Sequence, residues 1–252
     1  MKVFFVGAGP GDPELLTMKA WKLLKSCHIC VYAGSLVNPE VLHIVPKEAK
    51  RHNSAAMSLK EIVAVFLEAR DRGIDVIRLH SGDPSIYGAI REQMNELDTA
   101  GIAYEVVPGI SAFQASAALL QIELTAPEVA QTVILTRTSG RTPLPEEQGL
   151  EYLARTHTTL CIFLSGHKID ETITVLIGYY GADCPAAVVY HASWPDEKSV
   201  KGTLGDIAEK ARAADMGQTS LILVGRALSR DIPASKLYDP SFSHGFREGD
   251  LS

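Results

Sequence analysis

Apolar positions along the first half of the chain switch repeatedly between unbroken runs and helical spacing. KVFFVGA (residues 2–8) is an apolar run stopped by glycine and predicts a buried strand. PELLTMKAWKLLKS (13–26) brings Leu15, Met18, Trp21 and Leu23 near helical spacing, and HICVYA (28–33) reads as a second strand. SLKEIVAVFLEARDRG (58–73) is an amphipathic helix that stops at Gly73. DVIRLHS (75–81), a helix over IYGAIREQMNELDTAG (86–101), AYEVVPG (103–109) and a helix over SAFQASAALLQ (111–121) continue the alternation. Strands this apolar, separated by helices, predict a mainly parallel sheet covered on both faces.

The rhythm changes after ELTAPEVAQ (123–131), a proline-marked stretch read as a linker. TVILTR (132–137), TLCIFLS (159–165), AAVVYHAS (186–193), VKGTL (200–204) and SLILVGRAL (220–228) then follow with fewer helices between them. A mixed second sheet is expected. The fold class is therefore α/β in two domains, 1–122 and 132–252, with a polar tail from Asp239.

Length supports two domains, because 252 residues exceed what one modest core needs. A net charge of −6 argues against a uniformly basic nucleic-acid surface, although a local basic pocket for an acidic ligand is compatible with it. No apolar run approaches the ~18–20 residues of a membrane helix, and MKVFFVGAGPG lacks a signal-peptide core, so a cytoplasmic location without membrane partner is expected. Cys27 and Cys30 form a CxxC, but Cys161 and Cys184 supply no second pair. No metal site is expected, and Cys27 and Cys30 are expected as buried thiols on opposite faces of a strand.

The glycine turns carry the chemistry. GAGPGDPELLT (7–17) places Gly7 and Gly9 where a dinucleotide fingerprint needs them, but Asp12 stands at its sixth position. Asp12 and Glu14 would set two carboxylates at the helix start where a pyrophosphate seeks amides and a positive dipole. No acidic residue closes VYAGSLV to hold a ribose, no GxxxxGK[ST] occurs, and GISAF (109–113) lacks the last glycine of a nucleophile elbow. HKIDE is not a zinc-protease HExxH, and the histidines are scattered. Gly11-Asp12-Pro13 and Gly82-Asp83-Pro84 repeat one another, each predicting an aspartate N-cap and a proline at the first helical position. In a parallel sheet both turns fall at the carboxyl ends of strands, where ligands bind. GPGDP, SGDPSIYG and VPGISAF are small-residue turns that let backbone approach a ligand closely. A flat base, a zwitterion and a positive centre suit them better than a pyrophosphate.

VGAGPGDPELLT, SGDPSIYG and VPGISA, in this order and spacing, resemble the tetrapyrrole methylase family of S-adenosylmethionine-dependent enzymes, from Lys2 to about Leu228. VYAGSLVNPE, RHNSAAMSLKEI and ILTRTSGRTPLPE resemble the branch that methylates ring carbon 11 of precorrin-4 in cobalamin synthesis. The resemblance implies two α/β domains with S-adenosylmethionine and an acidic tetrapyrrole lying between them, usually in a homodimer. It also implies residue roles. Pro10 offers its carbonyl near the cofactor; Ser81, Gly82 and Asp83 contact its methionine portion through backbone, with Ile86 and Tyr87 packed beside it. Ser111 and Ala112 hold another edge, and Ser111 is equally a helix N-cap. Leu164, standing where the family pattern has methionine, joins Ala187, Ser220 and Leu221 at the adenosine pocket. Arg137 and Arg141 are read as pairing the acetate and propionate arms of the substrate, with Lys50, Arg51 and His52 a second basic patch. No general base is assigned; N-capping and cofactor positioning account for Asp83. The alternatives are methylation of another precorrin carbon or of uroporphyrinogen, a non-catalytic tetrapyrrole-binding protein, and a nicotinamide-dependent oxidoreductase.

Overall fold

A computed structural model describes residues 1–140, 142–217 and 219–248. The chain divides into two compact units, one of Met1–Ala115 with His191–Glu197, the other of Ser116–Tyr190 with the chain from Lys198 onward.

In the first unit β1 (Lys2–Gly7), α1 (Met18–Lys25), β2 (Ile29–Tyr32), α2 (Pro39–Leu42), β3 (Lys50–Asn53), α3 (Leu59–Asp71), β4 (Val76–His80), α4 (Arg91–Thr99), β5 (Ala103–Val107) and the start of α5 (Ala112–Leu120) follow one another. The sheet order is β3-β2-β4-β1-β5, and every pairing is parallel. Alternation divides the strand residues cleanly between two faces. Val3, Phe5, Val31 and Val76 pack with Ile62, Val65 and Phe66 of α3 and Leu97 of α4. Val6, Cys30, Ile77 and Leu79 pack with Ala20 and Leu24 of α1 and Val41 of α2. Ser58 and Glu61 close a full capping box on α3.

Local chemistry moves three boundaries away from the periodic reading. The helix expected over 13–26 is two pieces: Asp12 caps a short 3-10 turn at Pro13–Leu15, and Thr17 opens α1 by accepting the Ala20 N–H at 3.1 Å. The helix expected from Ile86 begins at Arg91, because Tyr87 and Ala89 hold left-handed backbone at φ 55° and 49°. The short polar strand β3 carried no apolar signal, since it pairs on one side only, with β2. The cysteine expectation is also corrected. Cys27 precedes β2, so strand alternation does not govern it, and both thiols lie in one buried cluster. The hydrogen bond between them holds Cys27 below the usual thiol range and Cys30 well above it.

In the second unit β6 (Val133–Arg137), α6 (Leu150–Ala154), β7 (Thr159–Phe163), α7 (Ile169–Tyr180), β8 (Pro185–Tyr190), β9 (Lys198–Thr203), α8 (Ile207–Ala213) and β10 (Leu221–Val224) follow. Their order is β6-β7-β10-β8-β9. Only β6–β7 is parallel, so this sheet is mixed. Leu160, Ile162, Ala186, Val188, Ile222 and Val224 face α7 and α8 in one core. Residues 123–131 are folded into this unit: Ala126 and Ala130 exchange backbone hydrogen bonds at 2.7 and 2.9 Å and pack on Ala227. Among the described residues no helix is long and apolar enough to cross a membrane, and no group of three His, Cys, Asp or Glu residues is placed to hold a metal ion.

Candidate functional site

Three adjacent strands of the first sheet, β4, β1 and β5, deliver their carboxyl ends side by side. The turns that leave them are laced together by backbone. Gly9 N–H donates to the Gly82 carbonyl at 3.2 Å, and Gly82 N–H returns a bond to the Gly9 carbonyl at 2.8 Å. A Cβ added at Gly7 would lie 2.6 Å from the Gly82 oxygen, and one added at Gly109 only 2.2 Å from it. Gly7 and Gly109 are therefore required simply to let these turns meet. Gly82 itself sits at φ +61°, a conformation that costs a side-chain-bearing residue on the order of 1–2 kcal/mol.

Asp83 anchors the second turn. One carboxylate oxygen accepts the Gly109 N–H at 2.9 Å; the other accepts the Ser85 N–H at 2.8 Å and the Ser85 hydroxyl. Burial pushes this carboxyl up, but the bonds from Ser85 and Gly109 together hold it below the ordinary carboxylate value. An aspartate engaged in this way is a brace and a poor base. The expected helix at Pro84 is absent: Asp83 closes a turn over Pro84–Tyr87, whereas Asp12 does cap a helical turn. Ile86 is half-buried, and Tyr87 is 46% exposed.

Ser111 is buried and starts α5, its carbonyl receiving the N–H groups of Gln114 and Ala115. Gln114 Oε1 accepts the Ser111 N–H at 2.9 Å. A Cβ added at Gly82 would stand 3.5 Å from Ser111 Cα and 3.9 Å from Ala112 N. The turn and the helix start thus pack so that a single methyl on Gly82 would just make van der Waals contact with them. The Pro10 carbonyl, expected near the cofactor, accepts the indole N–H of Trp194 at 2.7 Å.

Beneath the Ser81–Ile90 turn lies a buried polar pair that sequence reading missed. Arg78 and His80 share the β4 face that carries Val76. Arg78 donates to Gln93 Oε1 at 3.0 Å and to the Val31 carbonyl at 3.3 Å, and Gln93 donates on to the Ala89 carbonyl at 2.8 Å. No carboxylate pairs with Arg78 among the described residues, and burial lowers its pKa to about 10. Burial, then the neighbouring Arg78 charge, lowers His80 to about 3, and its Nε2 is buried without a hydrogen-bond partner. The run DVIRLHS shows only an apolar strand; that its Arg and His point inward becomes legible only once the register is known.

In the second unit Leu221 pairs with Val189, and Leu223 pairs with Ala187 and Cys161. Alternation puts Ala187 and Leu221 on the sheet face opposite α7 and α8. Leu164 directly follows β7, is 52% exposed and holds φ +53°. An exposed leucine in left-handed backbone is a strained residue of the sort that gathers at ligand sites. The Ser220 hydroxyl donates to the Gly217 carbonyl at 2.7 Å, so its side chain is already engaged in its own turn. Arg137 donates to the carbonyls of Thr138, Thr142 and Pro143 at 3.0–3.3 Å, clasping the loop that follows β6. Arg141 lies outside the described residues. Of the other basic patch, Lys50 pairs with Glu68 and Arg51 donates to the Val45 carbonyl at 2.7 Å. Burial, then the charge of Lys50, lowers the pKa of His52.

Comparison with known proteins agrees with these turns. Residues 2–208 match the family model of tetrapyrrole (corrin/porphyrin) methylases. The chain is 51% identical, over 98% of its length and 96% of the relative's, to a cobalt-precorrin-4 C(11)-methyltransferase of Methanocaldococcus jannaschii. It is 48% identical, over 99% of its length and all of the relative's (100%), to a precorrin-4 C(11)-methyltransferase of Pseudomonas aeruginosa. The crystal structure of a cobalt precorrin-4 methyltransferase of cobalamin biosynthesis superposes with a TM-score of 0.88 at 41% identity, covering 90% of this chain and 96% of the other.

Proposed function

Because the chain belongs to the tetrapyrrole methylase family, we propose that it methylates ring carbon 11 of precorrin-4, or of its cobalt form, in cobalamin biosynthesis. The observation that carries this reading is end-to-end similarity to enzymes named for that reaction, one with cobalt and one without. The methyl donor in the proposal is S-adenosylmethionine, whose sulfonium supplies a methyl group already activated as a cation equivalent.

The donor fits what the first unit offers. In this reading the donor lies against the bare backbone of Gly82 and of the helix start at Ser111 and Ala112, and the braced turns keep that backbone fixed before binding. Ser81, Gly82 and Asp83 hold the methionine portion, with Pro10, Ile86 and Tyr87 beside it. Leu164, Ala187, Ser220 and Leu221 take the adenosine; the last three are nearly fully buried, so Leu164 is the side chain with most freedom to move onto a base. Alignment of donor and acceptor is the chain's main contribution, and it can supply on the order of 7–11 kcal/mol of the barrier. No residue is assigned as a base, because the carbon acceptor belongs to an electron-rich conjugated ring and Asp83 is held as a brace.

Arg137 and Arg141 recognise the carboxylate arms of the substrate. Arg137 retains unused donor capacity beyond the three carbonyls it holds. The nicotinamide alternative is disfavoured because the Asp12 carboxylate already occupies the helix start that a pyrophosphate would need. The working form is proposed as a cytoplasmic homodimer, which sedimentation equilibrium and cell fractionation would check.

Calorimetric titration with S-adenosylhomocysteine, NADH serving as the control, tests the donor. Binding of the former alone supports it, and methyl transfer to ring carbon 11 identified by NMR of the product completes the assignment. Binding of NADH alone would overturn it.

A further inference from the structure

The turn that follows β1 is pinned at nearly every peptide. Gly9 exchanges two bonds with Gly82, the Asp12 carbonyl accepts from Leu15 at 3.0 Å, and the Asp12 N–H donates to Ser193 Oγ at 3.0 Å. Pro10 has no N–H to give. Its carbonyl is held by the Trp194 indole, 184 residues further along the chain. Gly11 lies against the same ring, where an added Cβ would fall 2.1 Å from Trp194 Cδ1. The orientation of the Pro10–Gly11 peptide is therefore set from His191–Glu197, the segment joining β8 to β9.

That segment is built to hold the indole still. His191 stacks on Trp194 with ring centroids 4.4 Å apart and 22° between planes. Its Nδ1 bonds Asp196 at 3.0 Å. The Trp194 N–H donates to the His191 carbonyl at 2.9 Å, the Glu197 N–H to the Trp194 carbonyl at 3.1 Å, and the Ser193 N–H to Glu197 Oε2 at 2.8 Å. His191 and Ser193 both hold left-handed backbone, at φ 49° and 67°. Two non-glycine residues held in that conformation within a seven-residue connection store backbone strain.

We propose that Trp194 is a positioning residue for the methyl donor: by holding the Pro10 carbonyl it fixes the donor-facing edge of the first turn and sets donor affinity. The proposal rests on the donor reading above.

Trp194→Phe keeps a ring and removes the N–H; Gly11→Ala keeps the N–H and displaces the ring. Both are expected to weaken S-adenosylhomocysteine binding five- to tenfold by calorimetry, and to raise KM for S-adenosylmethionine with kcat at saturating donor kept within twofold. A purely structural residue would change melting temperature without that split. The sequence has two tryptophans, so in Trp21→Phe the fluorescence comes from Trp194 alone, and its emission is expected to shift on saturation with S-adenosylhomocysteine. Unchanged affinity in Trp194→Phe, while the wild type binds, overturns the proposal; if that variant does not fold, Gly11→Ala decides by the same criterion. A wild type that binds no S-adenosylhomocysteine defeats the donor reading instead.

Discussion

The carboxylate of Asp83 accepts the backbone N–H of Gly109 at 2.9 Å, tying the turn after β4 to the turn after β5. Asp83→Asn keeps the shape and removes the charge, and because an amide has a single acceptor oxygen it also leaves either the Gly109 N–H or the Ser85 N–H facing an NH2 donor. The loss of stability is expected to be about 1 kcal/mol in urea titration at pH 7. Because the folded carboxyl titrates below its ordinary value of 3.8, its contribution is present above that value and is lost as pH falls through the folded pKa. The difference between wild type and variant should therefore shrink by pH 3. A gap of the same size at both pH values would show that charge is not what braces the turn.

Gly82→Ala separates the binding role of the same turn from its stability. The alanine must adopt φ +61°, and its methyl enters the space facing Ser111 and Ala112. Strain of about 1–2 kcal/mol lowers stability, while S-adenosylhomocysteine affinity should fall tenfold or more. Calorimetry at a temperature where the variant is fully folded checks the second effect. Wild-type affinity would mean that the donor does not approach this backbone.

Apart from the polar edge strand β3, the strands of both sheets were legible in the sequence because they bury apolar residues, and burial leaves a pattern. The turns at the strand ends of the first sheet were legible through Gly7, Gly82 and Gly109: at Gly7 and Gly109 the lack of a Cβ lets the strand ends meet, and Gly82 supplies left-handed backbone. What stayed hidden was contact between distant segments and polarity turned inward. Arg78 sits two residues from His80 in a run that reads as hydrophobic, and its acceptor Gln93 belongs to a helix of low apolar content. The strand expected to run through Ser193 stops at Tyr190, since His191 takes left-handed backbone that no residue preference announces. Trp194 looks like an ordinary aromatic in a polar loop until the fold brings it onto Pro10.

His80 makes stability depend on pH in a defined window. Its folded pKa is about 3, against 6.5 for an ordinary histidine. Between those values the unfolded chain binds a proton that the folded chain excludes, so unfolding free energy rises with pH. The full contribution is present above 6.5, and stability falls by about 1.4 kcal/mol for each unit below it until the folded group also titrates. Imidazole nitrogen NMR should show His80 neutral at pH 5. A His80 titration midpoint above pH 5 would sink this account of its buried, unpartnered Nε2.

Arg137 serves two readings that one variant can separate. Its guanidinium holds the carbonyls of Thr138, Thr142 and Pro143, and the proposed function also gives it a carboxylate arm of the substrate. Arg137→Ala removes both. Arg137→Lys keeps the charge but cannot reproduce a planar fork serving three carbonyls at once. If loop organisation is its main task, both variants should speed proteolysis within 138–143 and raise the tetrapyrrole KM by similar factors. If charge recognition dominates, lysine should recover most of the KM that alanine loses, on the order of ten- to a hundredfold for a charge-assisted pair worth about 1.5–3 kcal/mol. S-adenosylhomocysteine affinity should stay within twofold of wild type in either variant. An unchanged tetrapyrrole KM in both would remove Arg137 from substrate recognition and leave it as the clasp of its own loop.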